Sequence, residues 1–497
     1  MGRNIKSKNL IIENVAIETV AAEGNGLAHV DGVVLFVPKT IPGDVVNVQL
    51  TKRRKGFLEG KVLNFLSYSS MRVAPFCPHY GICGGCTWQA LPYEKQLEFK
   101  QQQVIDQLTR IGHLTLPSIS PIIGSDNTLC YRNKLEYTFS NKRWILPEET
   151  GEISDNERLA LGFHIPGMFS KVLDIKDCKL QPEPTNAIRL FVKDYAKRLG
   201  LSFFDIAAHT GLLRNLIIRI SHTTGEIMVI IVAGASERED YDIVKEKGKS
   251  RNRFTDTLSP KDKASVEALL DAVCEKFPQV SSTFYVANNK GNDTMAFCPI
   301  FHHSGTEYIT EKMEDLSFRI SPKSFYQTNS AQAYKLYSIV RDFAGLTGKE
   351  TVYDLYTGTG TIALFLSGKA AKVVGIEYVE DAIEDAKINA AQNNISNASF
   401  FAGDMKEVLS EKFISSNGAP DVIVLDPPRS GIDPQVANVL LATAAPRMVY
   451  VSCNPATQAR DLAILSSKYD IIKVQPVDMF PHTQHVENVV ELKLKEN

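Results

Sequence analysis

The sequence predicts an α/β protein whose C-terminal part is a Rossmann-like, doubly wound parallel sheet. From Phe318 onward, short apolar strands alternate with helices, and this alternation is typical of a parallel sheet covered by helices. At 497 residues the chain is too long for one hydrophobic core, so it should divide into two or three domains. Hydrophobic residues make up 44% of the sequence, which indicates that these domains are globular.

The C-terminal segment, 318–497, contains the elements that carry this prediction. A glycine-rich turn separates its first strand from its first helix. The predicted elements are, in order, strand 351–355, helix 362–368, strand 372–376, helix 379–393, and strands 399–401, 422–425 and 448–452.

The N-terminal segment, 1–66, reads as about five short strands separated by turns, a spacing that predicts a small OB-like β-barrel. It carries nine Lys and Arg against six Asp and Glu, although the whole chain has a net charge of -2. Four cations are consecutive at 52–55, in the loop between the last two strands. Such a run is usually a solvated loop, but on a barrel of this type it can contact phosphates.

The central segment, 75–310, has a mixed α/β pattern. It contains a predicted helix at 93–111, which could pack on the C-terminal domain, and strands at 215–220 and 226–232. Residues 236–263 are charged and poor in apolar side chains, so they predict a surface insertion or a partly disordered linker.

The sequence also indicates in which compartment of the cell the protein is located. The longest apolar stretch, 227–235, is far shorter than the roughly 18 residues that a membrane helix needs, and the polar start lacks the apolar core of a signal peptide. We therefore expect a soluble cytoplasmic protein with no membrane partner. Three of the eight cysteines fall between 77 and 86, which favours metal ligands in a reducing compartment over disulfides.

The turn after strand 351–355 predicts a nucleoside site. Its two glycines, Gly358 and Gly360, allow close approach of a ligand to the backbone. Glu377 ends the next strand, where an acid conventionally binds ribose hydroxyls. Since no pyrophosphate cradle is evident, S-adenosylmethionine fits better than a dinucleotide. Asp404 follows the third strand and would suit an adenine contact, or it is simply an exposed turn residue.

Two neighbouring strands end in reactive groups. Strand 422–425 is followed by Asp426, and strand 448–452 is followed by Cys453. A lone cysteine is usually a small buried hydrophobe, but parallel strands present their carboxyl ends to one ligand crevice. The pattern therefore indicates a reactive thiol beside an acid.

Four motifs together resemble the RNA uracil-5 methyltransferase family, which is a class I, S-adenosylmethionine-dependent family. The N-terminal barrel is similar to the TRAM domain that these enzymes often carry, so the resemblance spans nearly the whole chain. The motifs are Ser-Pro-Lys-Ser-Phe-Tyr-Gln-Thr-Asn at 321–329, Asp-Pro-Pro-Arg-Ser-Gly at 426–431, Val-Ser-Cys-Asn-Pro-Ala-Thr at 451–457 with Arg460 and Asp461, and Asp-Met-Phe-Pro-His-Thr-Gln-His-Val-Glu at 478–487.

The resemblance implies a role for Cys453 and Glu487. Carbon 5 of uracil is a poor nucleophile, and addition of a thiolate at carbon 6 turns the ring into an enolate that can accept a methyl group. Cys453 matches that thiol, and Glu487 matches the base that then removes the carbon 5 proton. Alternatively, Glu487 is an ion-paired or edge-strand charge. We interpret His482 and His485 as local hydrogen-bonding residues.

The same resemblance implies a cofactor pocket and a target base. Asp426 could face the target base of the RNA and not the cofactor. Arg429 stands where amino-methylating enzymes have a base-stacking tyrosine, and Pro428 stands where cytosine-5 RNA methyltransferases have a cysteine, so uracil is favoured. The residues implied to line the S-adenosylmethionine pocket are Gln327, Tyr356, Thr361, Glu377, Asp404 and Asp426.

The cysteine cluster resembles that of the iron-sulfur branch of the family. Cys77, Cys83 and Cys86 are close in sequence, and Cys178 matches the remote fourth ligand. This set implies a [4Fe-4S] cluster, whereas four thiolates would also hold a structural zinc ion. We interpret the three cysteines without such context as packing residues; they are Cys130, Cys274 and Cys298.

The branch with an iron-sulfur cluster and a TRAM domain implies 23S ribosomal RNA as the partner and 5-methyluridine as the product. Transfer RNA is the nearest alternative substrate, and a non-catalytic RNA-binding protein or chaperone is the alternative from another class. We expect a monomer. The sequence does not indicate which uridine is modified, or how many.

Overall fold

The computed structural model describes residues 10–234, 241–246, 249–254, 258–295 and 297–496. Three sheets of six or seven strands follow one another along the chain, with two smaller hairpins. Each large sheet lies within one of the three predicted domains, whose limits stay a prediction. In these described ranges, no helix is both long and apolar enough to cross a membrane.

The first sheet closes on itself as a barrel of six strands, in the order β1-β5-β6-β4-β3-β2. Strands β1 and β2 are at opposite edges of this order, and β1 also contacts β3, the neighbour of β2, so the two edges lie close together. Alternate residues such as Val46 and Val48 are fully buried in its core. The strands are β1 Ile11–Ala16, β2 Thr19–Val20, β3 Gly26–Val30, β4 Val33–Val37, β5 Val45–Arg53 and β6 Phe57–Ser67.

The basic run at 52–55 was predicted in a loop, but only Arg54 and Lys55 lie in the turn, since Lys52 and Arg53 end β5. All four side chains are exposed, and Lys52 forms an ion pair with Glu59 at 2.8 Å. A contact with phosphates stays a prediction.

A long helix and a second sheet form the central part. The sheet has the order β15-β14-β11-β10-β7-β8-β9, and every residue of β10 and β11 is buried because both faces are covered. The elements are α1 Tyr93–Arg110, β7 Lys134–Ser140, β8 Ala160–Ile165, β9 Met168–Asp174, α2 Thr185–Arg198, β10 Leu213–Ile220, β11 Ile227–Ala233, β12 Tyr241–Glu246, β13 Lys249–Phe254, α3 Pro260–Lys276, β14 Val280–Ala287 and β15 Ile300–Gly305.

The charged stretch at 236–263 lies partly outside the described residues. Within it, β12 and β13 pair as an antiparallel hairpin, and α3 begins at Pro260 with Ser259 as its N-cap. Composition did not predict this hairpin, because strand pairing of two polar segments leaves no apolar pattern to read.

The third sheet has the order β20-β19-β18-β21-β22-β24-β23. Its first five strands are parallel, so the predicted Rossmann-like fold is confirmed, and β23 and β24 add an antiparallel edge. The elements are β16 Ile309–Met313, β17 Leu316–Ile320, α4 Ser330–Ala344, β18 Thr351–Leu355, α5 Thr361–Ser367, β19 Lys372–Glu377, α6 Glu380–Gln392, β20 Ala398–Ala402, α7 Met405–Val408, α8 Glu411–Asn417, β21 Val422–Leu425, α9 Pro434–Thr443, β22 Arg447–Ser452, α10 Pro455–Leu465, β23 Tyr469–Val477 and β24 Glu487–Leu494.

Candidate active site

Three predicted residues meet at the carboxyl edge of the third sheet, which we call the catalytic rim. Asp426 follows β21 and Cys453 follows β22, and these two strands are parallel neighbours. In the antiparallel ladder of β22 and β24, Ser452 is opposite Asn488. The next opposed positions are therefore Cys453 and Glu487, so the register brings the thiol and the carboxyl group together.

Burial controls the ionisation of the catalytic rim. Glu487 is only 5% exposed, and burial, with the nearby charge of Asp426, raises its pKa to about 8. Burial raises the pKa of Asp426 to about 7. The pKa of Cys453 rises to about 11, mainly through burial and then through Glu487 and Asp426, while Arg429 lowers it. The free protein thus holds Cys453 as a thiol, and Glu487 is half ionised near pH 8.

Helix α10 opposes the rise in the pKa of the Cys453 thiol. Cys453 immediately precedes Asn454, the N-cap of α10, whose side chain accepts a hydrogen bond from the Ala456 amide at 3.2 Å. The amides at a helix N-terminus carry partial positive charge that favours a thiolate. Arg429 adds a full positive charge nearby. The thiol therefore has two groups that would stabilise its ionised form.

The loop after Asp426 is fixed by residues of the neighbouring motif. The carbonyl oxygen of Arg429 accepts a hydrogen bond from Asn454 Nδ2 at 3.1 Å. Arg460 Nη2 donates to the carbonyl oxygen of Ser430 at 2.9 Å and forms an ion pair with Asp461 at 2.6 Å. The Arg-Asp pair thus ties the two rim loops together, a role that the sequence motif did not reveal.

The glycine turn between β18 and α5 is held by two carboxylates. Glu377 accepts hydrogen bonds from the Gly358 amide at 3.2 Å and the Val379 amide at 3.0 Å. Asp354 is fully buried and accepts from Thr357 Oγ1 at 2.5 Å. Burial raises the pKa of Asp354 to about 7. Asp354 was not among the predicted site residues. It lies inside strand β18, and nothing in the sequence pattern distinguishes it from an ordinary polar residue near the end of a strand.

Tyr356 has a strained backbone at the start of this turn. Its φ of 65° lies in the left-handed region, which a non-glycine residue enters at a cost and often at functional sites. Burial raises the pKa of Tyr356 to about 12, and the charges of Asp433 and Asp461, followed by those of Asp404 and Glu377, add to that shift. Two predicted cofactor residues, Tyr356 and Glu377, therefore lie at the glycine turn.

The remaining predicted cofactor residues flank that turn. Thr361 is buried, and its Oγ1 lies 3.3 Å from Thr359 Oγ1. Gln327 belongs to the loop that contacts the turn, because Thr359 Oγ1 donates to the carbonyl oxygen of Phe325 at 3.3 Å. Asp404 accepts from the Lys406 amide at 3.0 Å as the N-cap of α7, so its carboxylate already has a structural partner.

The two histidines before Glu487 are neutral near pH 7. Burial lowers the pKa of His482 and of His485 to about 4. Gln96 Nε2 donates to His482 Nδ1 at 3.2 Å, and the His482 amide donates to Gln96 Oε1 at 2.8 Å. The interpretation of His482 as a local hydrogen-bonding residue agrees with these contacts.

A buried ion pair positions the loop that leads to Glu487. Lys100 of α1 lies 2.6 Å from Asp478, and both side chains are fully buried. Tyr93 donates to the second carboxylate oxygen of Asp478 at 2.7 Å, and Lys100 also donates to the carbonyl oxygen of Phe480 at 3.1 Å. Helix α1 therefore packs against the catalytic part, as the sequence allowed.

The four predicted metal ligands line one cavity of about 190 Å³, which we call the cysteine cavity. The rest of its wall combines apolar residues such as Leu135 and Phe163 with charged ones such as Arg132 and Asp177. Burial raises the pKa to about 11 for three of the thiols. Among the described residues, no group of three Cys, His, Asp or Glu could hold a single metal ion. The cavity ligands are Cys77, Cys83, Cys86 and Cys178.

The other cysteines differ from the prediction in one case. Cys298 is 4% exposed and packs in a hydrophobic cluster, and Cys274 is half-buried. Cys130 is exposed, so its interpretation as a packing residue was wrong. It lies in a turn with a left-handed backbone, φ 54°, which directs the chain back into the fold at Tyr131.

Comparisons with known proteins identify the family. The family model for tRNA (Uracil-5-)-methyltransferase matches residues 304–495, and the TRAM domain model matches residues 12–63. An uncharacterized RNA methyltransferase of Bacteroides thetaiotaomicron is 51% identical over 96% of this chain and 100% of its own length. One of Porphyromonas gingivalis is also 51% identical, over 96% of this chain and 98% of its own length.

A solved structure agrees with these relatives. The crystal structure of Pyrococcus abyssi tRNA (uracil-54, C5)-methyltransferase in complex with S-adenosyl-L-homocysteine covers 96% of this chain and 100% of its own, at 26% identity and a TM-score of 0.71. The predictions of an RNA substrate, of S-adenosylmethionine and of a TRAM domain are confirmed at the level of the family. The chain belongs to the RNA uracil-5 methyltransferase family and is an S-adenosylmethionine-dependent RNA methyltransferase.

Proposed function

We propose that this protein methylates carbon 5 of a uridine in structured RNA through a covalent bond between Cys453 and carbon 6 of the base. The observation that carries the proposal is the register of β22 and β24, in which Cys453 and Glu487 are the next positions beyond the Ser452–Asn488 pair. A nucleophile and a base on adjacent strands can act on neighbouring atoms of one ring.

The first step is addition of the thiolate to carbon 6. Cys453 is half-buried, so its proton can pass to water as the base docks. The amides of α10 and the charge of Arg429 favour the thiolate that remains. The new sulfur-carbon bond makes the ring an enolate, which is nucleophilic at carbon 5.

The second step is methyl transfer. Carbon 5 attacks the methyl group of S-adenosylmethionine, the bond from sulfur to that methyl group breaks, and S-adenosylhomocysteine leaves. The side chain of Glu377 is already oriented by two amides, which suits it to accept hydrogen bonds from ribose hydroxyls. The residues proposed to hold the cofactor are Gln327, Tyr356, Thr361, Glu377, Asp404 and Asp426.

The third step releases the product. Glu487 removes the carbon 5 proton, the bond between carbon 6 and sulfur breaks, and the Cys453 thiolate is regenerated. A pKa of about 8 suits a base that must accept a proton near neutral pH.

The proposed substrate is 23S ribosomal RNA, with transfer RNA as the second candidate. The TRAM domain and the cysteine cavity support the first, through the resemblance to the branch that carries both. The second is favoured by the likeness to the Pyrococcus abyssi enzyme, which acts on uracil 54 of tRNA.

Mapping 5-methyluridine by mass spectrometry, in cells with and without the gene, tests the function and the substrate together. We expect one or more 5-methyluridines to vanish from 23S RNA and to return with the wild-type protein but not with Cys453→Ala. Loss of 5-methyluridine from tRNA alone would show that tRNA, and not 23S RNA, is the substrate. An unchanged 5-methyluridine pattern in both RNAs would contradict the proposed function.

We further propose that the cysteine cavity holds a [4Fe-4S] cluster. In a tetrathiolate zinc site the Zn–S bonds are about 2.3 Å, so the sulfurs are ~3.8 Å apart and leave no cavity. Four thiols around about 190 Å³ suit a larger group of atoms, and thiolates are the usual ligands of iron-sulfur clusters. Iron and sulfide in protein purified without oxygen would support this, whereas stoichiometric zinc without iron would contradict it.

The protein is further proposed to act as a monomer in the cytoplasm. Light scattering of the purified protein gives its mass in solution, and a mass near 55.1 kDa is expected. A stable dimer would contradict the first part of this proposal, and fractionation of cells tests the second.

A further inference from the structure

Two cations face each other in the central sheet, close to the cofactor loop. Lys134 and Arg219 are directly opposite in the ladder of β7 and β10. Arg219 Nη2 donates to the carbonyl oxygen of Pro322 at 3.1 Å, so its side chain reaches toward the catalytic part. Arg132, two residues before Lys134, is near enough to lower the pKa of that lysine. We call these three residues the cationic row.

No side chain in the described part of the chain forms an ion pair with the cationic row. Like charges directly opposite in a ladder destabilise a sheet. Among the residues that the structure describes, Glu136 and Asp385 attract Lys134 and Arg219 only through space. Burial, with the charge of Arg219, lowers the pKa of Lys134 to about 8. The arrangement therefore costs stability in the free protein.

Two buried donor atoms of the row have no partner in the described structure. Arg219 is 6% exposed, and its Nε makes no hydrogen bond; the Nε of Arg132 is buried and also makes none. Unsatisfied buried donors are rare and point to a missing acceptor. An anion would satisfy these atoms and offset the repulsion at the same time.

The row lies between the two parts of the catalytic machinery. Asn133, between Arg132 and Lys134, donates to the carbonyl oxygen of Gln327 at 2.8 Å. On the other side, Arg132 lies 5.2 Å from the centre of the Phe480 ring and lowers the pKa of His485, which is two residues before Glu487. Arg132 also lines the cysteine cavity. An anion on the row would therefore lie between the loop that holds Gln327 and the loop that leads to Glu487.

We propose that Arg132, Lys134 and Arg219 bind a backbone phosphate of the RNA next to the uridine that enters the catalytic rim. Naming the uridine rests on the proposed function, whereas binding of the phosphate does not. A phosphate has several acceptor oxygens, enough to accept from all three side chains. The other anion that could reach this place is the carboxylate of S-adenosylmethionine, and the test separates the two.

The test uses Lys134→Gln, with Lys134→Arg to retain the charge and Lys197→Gln as the matched control. Lys197 is in α2, which packs on the opposite side of the central sheet. Binding of a short oligouridylate, without cofactor, should weaken about tenfold in Lys134→Gln, and its salt slope should flatten by about 0.7 for one lost contact. Lys134→Arg and Lys197→Gln should bind as the wild type does.

Two further measurements make the result decisive. Without RNA, Lys134→Gln should melt at the same temperature as the wild type or higher, and inorganic phosphate should stabilise it less. S-adenosylmethionine should bind both proteins equally. Unchanged RNA affinity, a lowered melting temperature with weaker RNA binding, or a tenfold loss of cofactor affinity would each overturn the proposal. None of these readouts requires methyl transfer, so failure of the proposed function would be visible separately.

Discussion

The catalytic rim and the cysteine cavity both bury thiols, yet they favour opposite chemistry. Burial raises the pKa of Cys453 and of Cys178 to about 11 alike. At Cys453 the next contributions come from two carboxyl groups, with an arginine and a helix N-terminus opposing them. At Cys178 two other thiols, Cys86 and Cys77, add to the rise in pKa, while a backbone hydrogen bond at Leu180 and the charge of Arg189 oppose it. The thiol proposed as a nucleophile thus differs from the thiol proposed as a metal ligand in its neighbours, which are carboxyl groups in the first case and other thiols in the second.

Replacing the nucleophile should have the largest effect. Cys453→Ala should reduce methylation by a factor on the order of a thousand or more, because covalent activation of the base is lost. Cofactor binding should survive, since the thiol acts only after both substrates dock. Radiolabelled methyl transfer and calorimetry measure the two quantities. Cys130→Ala, which removes an exposed thiol, is the matched control, and turnover of Cys453→Ala at the wild-type rate would end the covalent mechanism.

Removing the proposed catalytic base, Glu487, should have the second largest effect on the reaction. Glu487→Gln should still allow attack and methyl transfer but should slow elimination about a hundredfold or more. Methylated RNA would then accumulate on Cys453, visible as a denaturation-resistant band on a gel. Glu491→Gln, in the same strand but ion-paired with Lys473 at 2.8 Å, should give no such band. Normal turnover without an adduct in Glu487→Gln would assign the base elsewhere.

The cysteine cavity should respond differently to loss of one thiol. Cys178→Ser should lose most of its iron, and RNA binding should weaken on the order of tenfold before cofactor binding changes. Absorption spectra of protein purified without oxygen and RNA titrations measure these effects. If Cys178→Ser impaired cofactor binding first, the cavity would belong to the catalytic rim and the contrast between the two regions would fail.

The last prediction concerns stability and pH, and it involves neither catalysis nor binding. The pKa of Glu487 is about 8 in the folded protein against 4.5 for the free group, so the folded state keeps a proton that the unfolded chain has lost. Stability is therefore lost as pH rises through that window. Glu487→Gln should be more stable than the wild type by about 5 kcal/mol at pH 9 and by little at pH 4.

Urea unfolding at the two pH values measures this difference. Glu491→Gln should show no such gain at pH 9, because it removes an ion-paired carboxylate. Equal destabilisation by Glu487→Gln at both pH values would show that its carboxylate supports the fold instead.

Much of the catalytic part could be predicted from the sequence. Strands β18 and β21 were predicted with their observed limits, because parallel strands buried on both faces read as unbroken apolar runs. Asp426 and Cys453 could be assigned to one edge of the sheet because each follows such a strand, and parallel strands end at the same edge. The antiparallel strand β23 was not predicted, since its polar residues at one face interrupt the apolar pattern.

The contacts that position the site could not be predicted, because they join distant parts of the chain. The Lys100–Asp478 pair links residues 378 positions apart. Lys134 and Arg219 meet only through the register of β7 and β10, which no local pattern specifies. The spacing of the cysteines indicated that they bind one metal centre. The size of the cysteine cavity, which is the argument for an iron-sulfur cluster over a zinc ion, could be known only from the fold.

The covalent bond at Cys453 is tested most directly with RNA that carries 5-fluorouridine at the target position. Fluorine cannot leave carbon 5 as a proton does, so methyl transfer should trap the enzyme as a stable adduct. After digestion, mass spectrometry should find the methylated, fluorinated nucleotide on the peptide that contains Cys453, and no adduct with Cys453→Ala. Full methylation of normal RNA with no adduct on the fluorinated RNA, or an adduct on another residue, would contradict the mechanism.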